Sequence, residues 1–358
     1  PMSVQAKNRD RLSRFERQTK DIFMTEPAAA QTSLITGMGA ALVDLFADVK
    51  DAELEAIGSP KASMSLIEPA QSTTMQAAVK VHTQQPGGSA ANSVAGIARL
   101  GLPTGFIGKI AEDDLGRVFT DAFQKLDVAF PNHPDTRLPT GHCLVLVTPD
   151  AERTMHTVLG ASVTTSTDDL DDGVLARTGL FFAEGYIWDS PSARDAFLVA
   201  AESVHAQGGK VAFSLADGFC VTRHHADFMG LLDSHIDILL ANETEIAALF
   251  GSQDPADLGP HFAAHDVMGA VTYGAEGAYV FAGAEVCKID AQKVDDIVDL
   301  TGAGDQFAAG FLAGLHRGHA PETAGKMGVL AASHVIRQFG PRPQTDVAAQ
   351  LKAQGLTL

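Results

Sequence analysis

The sequence predicts an α/β fold: a core built on a mainly parallel sheet, carrying a small β-sheet lid. Three observations predict it. Short apolar runs bounded by Gly, Pro or polar residues recur along the chain, helical patterns lie between many of them, and two regions of shorter alternation interrupt the rhythm.

Residues 1–33 read as an N-terminal extension. Its first 23 residues carry six bases (Lys7, Arg9, Arg11, Arg14, Arg17, Lys20) against three acids (Asp10, Glu16, Asp21). No apolar segment follows them, so a solvated terminal extension is expected rather than a targeting or docking arm. The first apolar run is 33–43, punctuated by Gly37 and Gly39. Runs at 105–110, 142–148, 180–184, 210–214, 236–241 and 270–273 follow, each short enough for a strand buried on both faces. The Ala-rich stretch 90–100 stops at Gly101-Leu102-Pro103, and 192–206 stops at Gly208-Gly209; both are helix patterns with helix-ending residues. Segments 34–46, 86–127 and 166–358 are therefore assigned to the α/β core. Segments 47–85 and 128–165, with Thr, Ser and Val in shorter alternation, are assigned to the lid.

Composition narrows the function classes. A chain of 358 residues has room for a large core and a smaller unit. With 45% apolar and 20% charged residues, long disorder is not expected. The net charge of -18 disfavours nucleic acid and anionic membranes as partners. Any phosphate site must then rely on backbone N–H groups, helix ends and bound cations. Cys143, Cys220 and Cys287 are far apart with no CxxC pair, which argues against a disulfide framework or zinc cluster and fits a reducing, cytoplasmic setting. No apolar run is long enough to span a bilayer.

Two segments carry chemistry. Asp299-Leu300-Thr301-Gly302-Ala303-Gly304-Asp305 runs into a stretch of small and apolar residues that reads as a helix. The Gly-Ala-Gly turn leaves unpaired N–H groups at a helix N-terminus, where the dipole favours an anion and small residues let a phosphoryl group approach. Asp305 on that turn can take the proton of an attacking hydroxyl; the plainer reading is a helix cap. The other segment, Gln85-Pro86-Gly87-Gly88-Ser89-Ala90-Ala91-Asn92, is a second glycine turn opening a helix. Gly87 and Gly88 let a ligand reach the backbone, and Asn92, one turn on, offers a hydroxyl both donor and acceptor. Helix packing alone would also account for it.

Together, in this order, the segments resemble the two signatures of the ribokinase-like (PfkB) carbohydrate kinases, with Leu300 departing from the Thr of Asp-Thr-x-Gly-Ala-Gly-Asp. The resemblance runs from about residue 34 to the C-terminus. It implies a three-layer core with a β lid and an ATP- and Mg²⁺-dependent phosphotransferase. Asp305 would be the base, Gly302, Ala303 and Gly304 the anion hole, and Asp44, Gly87, Gly88 and Asn92 the acceptor site. Asn242 and Glu245 match the family's Asn-x-x-Glu motif, with Glu245 reaching Mg²⁺ through water. Thr272, Gly274 and Gly277 fall in the strand–turn at the nucleotide site. Residues 331–343 resemble the adenine-pocket segment and the monovalent-cation loop, to which Asp299 and Thr301 would lend carbonyls for K⁺. The partners implied are a small-molecule nucleoside or sugar, in a monomer or a homodimer paired through lid edges.

Gly37-Met38-Gly39, Thr140-Gly141-His142-Cys143, Glu152-Arg153-Thr154-Met155, Glu184-Gly185-Tyr186 and the long lid insertion are similar to the adenosine-kinase branch. Ala40 departs from the Asn found there, so adenosine is the leading acceptor and ribose or another furanose the alternative. A non-catalytic sugar- or nucleoside-binding protein is the alternative of another class, but it would not need Asp305, Asn242 and Glu245 together. Ser89 in Gly-Gly-Ser-Ala-Ala is a near miss to a hydrolase elbow, and His261 and His265 have i, i+4 ligand spacing without a third ligand. Both are read as structural. The sequence has no P-loop or complete dinucleotide fingerprint.

Overall fold

The computed structural model describes residues 33–358 apart from Ala151 and Ala284. The basic stretch 1–23 lies outside the described residues. The strands are β1 Leu34–Met38, β2 Leu42–Asp48, β3 Met64–Leu66, β4 Val81–Gly87, β5 Thr104–Ile107, β6 Gly141–Val147, β7 Arg153–Val158, β8 Thr178–Glu184, β9 Lys210–Ser214, β10 Ile238–Asn242, β11 Met268–Thr272, β12 Ala278–Ala282 and β13 Glu285–Ile289. Eight of them form one sheet in the order β13-β12-β11-β10-β9-β8-β1-β5, and five form a second in the order β3-β7-β6-β2-β4.

In the large sheet β5, β1, β8, β9, β10 and β11 are parallel, while β12 and β13 close the edge as an antiparallel hairpin. The parallel strands are mostly apolar, with polar residues chiefly at their ends, because helices cover both faces; β1 (LITGM) is buried at every position. One layer holds helices Ser89–Arg99, Ala303–His316 and Pro321–Val335. Every residue from Gln306 to His316 is buried, which explains a helix made almost wholly of Ala, Gly, Leu and Phe. The other layer includes Pro191–Ala206 and Gly218–Leu232, packed through Phe197, Trp188, Phe213 and Phe228.

The α/β core with a mainly parallel sheet and a second, smaller sheet matches the fold expected from sequence. Its internal division differs in two places. The apolar run at 33–43 is two strands: β1 belongs to the large sheet, and after Gly39–Ala41 the chain enters β2, which pairs with β4 and β6 in the small sheet. The lid segment 47–85 is also not purely β. It contains helices Asp51–Ile57 and Pro69–Ala78, the first with acids in its opening turn and the second with Pro at its start. Among the described residues no helix is long and apolar enough to cross a membrane.

Candidate active site

Open parallel sheets present their ligand sites beyond the carboxyl ends of the strands. Here Ser214, Asn242 and Thr272 end β9, β10 and β11, and all three line one cavity of about 340 Å³. Glu245, Gly274, Gly304 and Asp305 line it too, so two widely separated sequence motifs meet across it.

The packing of Ser89–Arg99 against Ala303–His316 brings Asp305 and its hydrogen-bond partners together. Ser89 Oγ donates to Asp305 Oδ1 at 2.7 Å, and Asn92 Nδ2 donates to Oδ2 at 2.9 Å. Burial pushes the Asp305 carboxyl above its ordinary range; the Asn92 and Ser89 bonds and the Arg342 charge oppose that rise. Each carboxylate oxygen can accept a further bond, so a hydroxyl can still reach it.

The turn before Asp305 depends on Gly302, whose φ of 79° is left-handed and whose missing Cβ would lie 2.6 Å from Pro341. The Ala303 N–H folds back to Leu300 O at 3.2 Å. Helix geometry then leaves the N–H groups of Gly304 and Asp305 as the donors without intrahelical acceptors. A Cβ on Gly304 would meet nothing within 4 Å, so the protein's own packing does not demand glycine there.

Asp44, on β2, sits against Gly87: a Cβ on Gly87 would lie 2.6 Å from its carboxylate oxygens. Burial raises Asp44 to about 7, with Arg342 opposing and Asp305 reinforcing the rise. Gly88, at φ 90°, has room only for hydrogen, since a Cβ would stand 2.1 Å from Ala40 O. Asn92 is 5% exposed and is bonded to protein on both sides, to Asp305 and to Arg342.

On the far side of the cavity, Asn242 Oδ1 accepts from the N–H groups of Thr244 and Glu245 at 2.9 Å. Glu245 in return accepts from Asn242 N at 3.0 Å and Nδ2 at 2.6 Å, a reciprocal cap on helix Glu243–Phe250. Burial raises Glu245 to about 7. Among the described residues no three His, Cys, Asp or Glu side chains gather as a metal cage. Glu243, Glu245 and Asp305 put acidic oxygens on a cavity whose lining is otherwise partly apolar; that sparse donor set fits a Mg²⁺ that keeps most of its water, and Glu245 is the residue that would reach it through water.

Gly277 does not line that cavity; its φ of 103° and closeness to Ile289 O make it a turn residue between β11 and β12. Asp299 and Thr301 also lie off the cavity. The Asp299 carboxylate forms an ion pair with Arg153 of β7 and accepts from Gly340 N at 2.7 Å, while Arg153 Nη1 donates to Thr301 Oγ1 at 2.6 Å. The small sheet is thereby tied to the 299–305 turn.

Four residues given no role from sequence belong to this site. Ser89 is a donor to Asp305, and among the described residues no histidine is hydrogen-bonded to it, unlike a hydrolase elbow. Glu184, 1% exposed, accepts from Ala40 N at 2.8 Å and Ala90 N at 2.7 Å and so joins the β1–β2 connection to the Gly87-Gly88 turn. Arg153 and Arg342 complete the set. A charged residue inside an apolar run, as Glu184 is, was the one available signal. His261 and His265 stack on Phe250, and among the described residues neither belongs to a group of three or more side chains that could hold a metal.

Comparison with known proteins agrees with this fold. The model of the pfkB family of carbohydrate kinases matches residues 51–347. A probable sugar kinase from Rhizobium etli has a TM-score of 0.85 at 35% identity, covering 91% of this chain and 99% of its own. Adenosine kinase from Sinorhizobium meliloti has a TM-score of 0.84 at 38% identity, covering 90% and 99%. A 5-dehydro-2-deoxygluconokinase from Shouchella clausii is 26% identical over 288 residues, 76% of this chain and 86% of its own.

Proposed function

The chain belongs to the pfkB family of carbohydrate kinases and is a sugar or nucleoside kinase; we propose that it transfers the γ-phosphoryl group of ATP to the primary hydroxyl of a nucleoside, adenosine first. The observation that carries this reading is the position of Asp305. It borders the cavity lined by Asn242, Glu245 and Thr272, and its carboxylate is held by Ser89 and Asn92 from the acceptor-side turn.

ATP occupies the strand-end cavity, with Asn242, Thr272 and Gly274 beside it and Gly277 shaping the turn behind. The acceptor lies against Asp44, Gly87, Gly88 and Asn92. Its hydroxyl proton passes to Asp305 as the new O–P bond forms and the bond to the departing ADP breaks. The N–H groups of Gly304 and Asp305 face the charge that develops on the transferring group. Family members use ATP with Mg²⁺, which when bound neutralises phosphate charge; Glu245 is the residue to hold it through water. Asp299 and Thr301 are the residues to supply carbonyls to a K⁺-like cation.

Adenosine is favoured by the 38% identity to the Sinorhizobium meliloti enzyme. Ala40 favours a second reading, a ribose or other furanose acceptor, because its methyl offers no hydrogen bond to a purine. Similarity to a Klebsiella pneumoniae fructokinase, 30% identical over 241 residues, 65% of this chain and 77% of its own, points the same way. Coupled ADP release with Mg²⁺ separates them across a panel of adenosine, other nucleosides, ribose and fructose. Turnover with adenosine supports the nucleoside reading, turnover with a free sugar replaces it, and silence across the panel sinks both.

A further inference from the structure

Arg342 follows helix Pro321–Val335 in a segment clamped to the 299–305 turn. Gly340 N donates to Asp299 Oδ2 at 2.7 Å, Gln306 Nε2 donates to Pro341 O at 3.1 Å, and Pro341 rests against Gly302. Gln338 Nε2 holds Arg342 O at 2.6 Å, and Pro341 and Pro343 flank the arginine. The backbone is thus fixed on both sides before the side chain begins.

The guanidinium lies between the acceptor turn and an aromatic wall. Its Nε donates to Asn92 Oδ1 at 2.9 Å and Nη2 to Gly87 O at 3.3 Å, with Cζ 5.8 Å and 5.3 Å from the Phe119 and Phe123 ring centroids. Nη1 is buried without a partner, and among the described residues Arg342 forms no ion pair. A desolvated guanidinium that no carboxylate contacts directly is costly as a mere strut. It does, however, settle the Asn92 amide. Once Oδ1 accepts from Arg342, Nδ2 must face Asp305, where it donates at 2.9 Å.

Resting on the kinase reading above, we propose that Arg342 is a positioning residue for the base, acting on Asp305 through Asn92 and through its charge. It selects the Asn92 rotamer that points a donor at the carboxylate. Its positive charge also opposes the burial that disfavours ionised Asp305. The groups around Asp305 make that charge necessary: Asp44 on β2, Glu184 at the end of β8 and Glu245 on Glu243–Phe250 all interact with it as like charges. Arg99 is the like charge facing Arg342 itself.

The test is the pH profile of kcat and kcat/KM for Arg342→Gln and Arg342→Lys, with the alcohol that wild type phosphorylates and Asp305→Asn as control. Losing the charge raises the base's pKa. The acid limb of Arg342→Gln therefore moves up by about one pH unit, a tenfold loss below the limb that recovers at high pH. Arg342→Lys keeps the limb but not the planar contact to Asn92, and kcat falls about tenfold at every pH. An unmoved limb in a folded Arg342→Gln overturns the proposal. If that variant does not fold, Arg342→Lys decides, and wild-type kcat there overturns it. Full turnover by Asp305→Asn, or none by wild type, sinks the kinase reading itself.

Discussion

Substituting Gly304 and Gly302 by alanine separates what the fold needs from what the ligand needs. Gly304 is exposed at the start of helix Ala303–His316, and an added methyl meets nothing within 4 Å. Alanine there should leave the melting temperature unchanged or raise it, since Gly→Ala in a helix gains about 0.5–1 kcal/mol. The methyl enters the cavity beside Asp305, where it displaces the transferring group by roughly 1 Å, and such a misplacement costs about 10²-fold in rate. Gly302 behaves oppositely. Its φ of 79° costs alanine about 1–2 kcal/mol, and the methyl also strikes Pro341, so this variant should melt lower. The assay is coupled ADP release beside thermal melting of both variants. Gly304→Ala with unchanged melting and wild-type turnover would refute the claim that the phosphoryl group settles at this turn.

Other perturbations test the remaining contacts. Arg153→Gln strands the Asp299 carboxylate, whose side chain is 2% exposed; stability should fall by about 3 kcal/mol, and adding Asp299→Asn should restore part of it in chemical denaturation. Burial raises Glu184 to about 7, above its unfolded value, so its protonated form favours the fold and that contribution is lost as pH rises through about 7. Wild-type stability should thus decline as pH rises from about 4.5, the unfolded value, to about 7, with Glu184 accounting for about 3 kcal/mol; Glu184→Gln should remove that share and leave those of Asp44 and Glu245. Asp44, likewise raised to about 7, accepts hydroxyl protons best when ionised, so acceptor affinity should improve as pH rises through 7; calorimetric titration of Asp44→Asn should lose that dependence.

The parts legible in the sequence were those whose information is local. The 299–305 turn announces itself because glycine, helix start and carboxylate are consecutive. Asn242 and Glu245 are three apart, so one reciprocal cap fixes both and leaves them at a strand end. The α/β core followed from apolar runs that match strands buried on both faces. What stayed hidden depends on tertiary packing. Nothing local marks Arg342 as different from other loop arginines; its role comes from Pro341 resting on Gly302. Arg153 reaches Asp299 only because β7 lies over the turn. The switch from β1 to β2 occurs inside one apolar run, and no polar residue in Gly39–Ala41 separates them, so the sequence shows no break there. Adenosine as acceptor rests on similarity, because Ala40 removes the side chain that would have argued for it.

The central claim is that Asp305 is the base, and Asp305→Asn with the acceptor that wild type uses tests it most directly. The asparagine fills the same space beside Ser89 and Asn92 but cannot take a proton. The expected result is a folded protein that still binds the acceptor and turns over about 10²–10⁴-fold more slowly at every pH. Wild-type turnover in that variant would contradict the account.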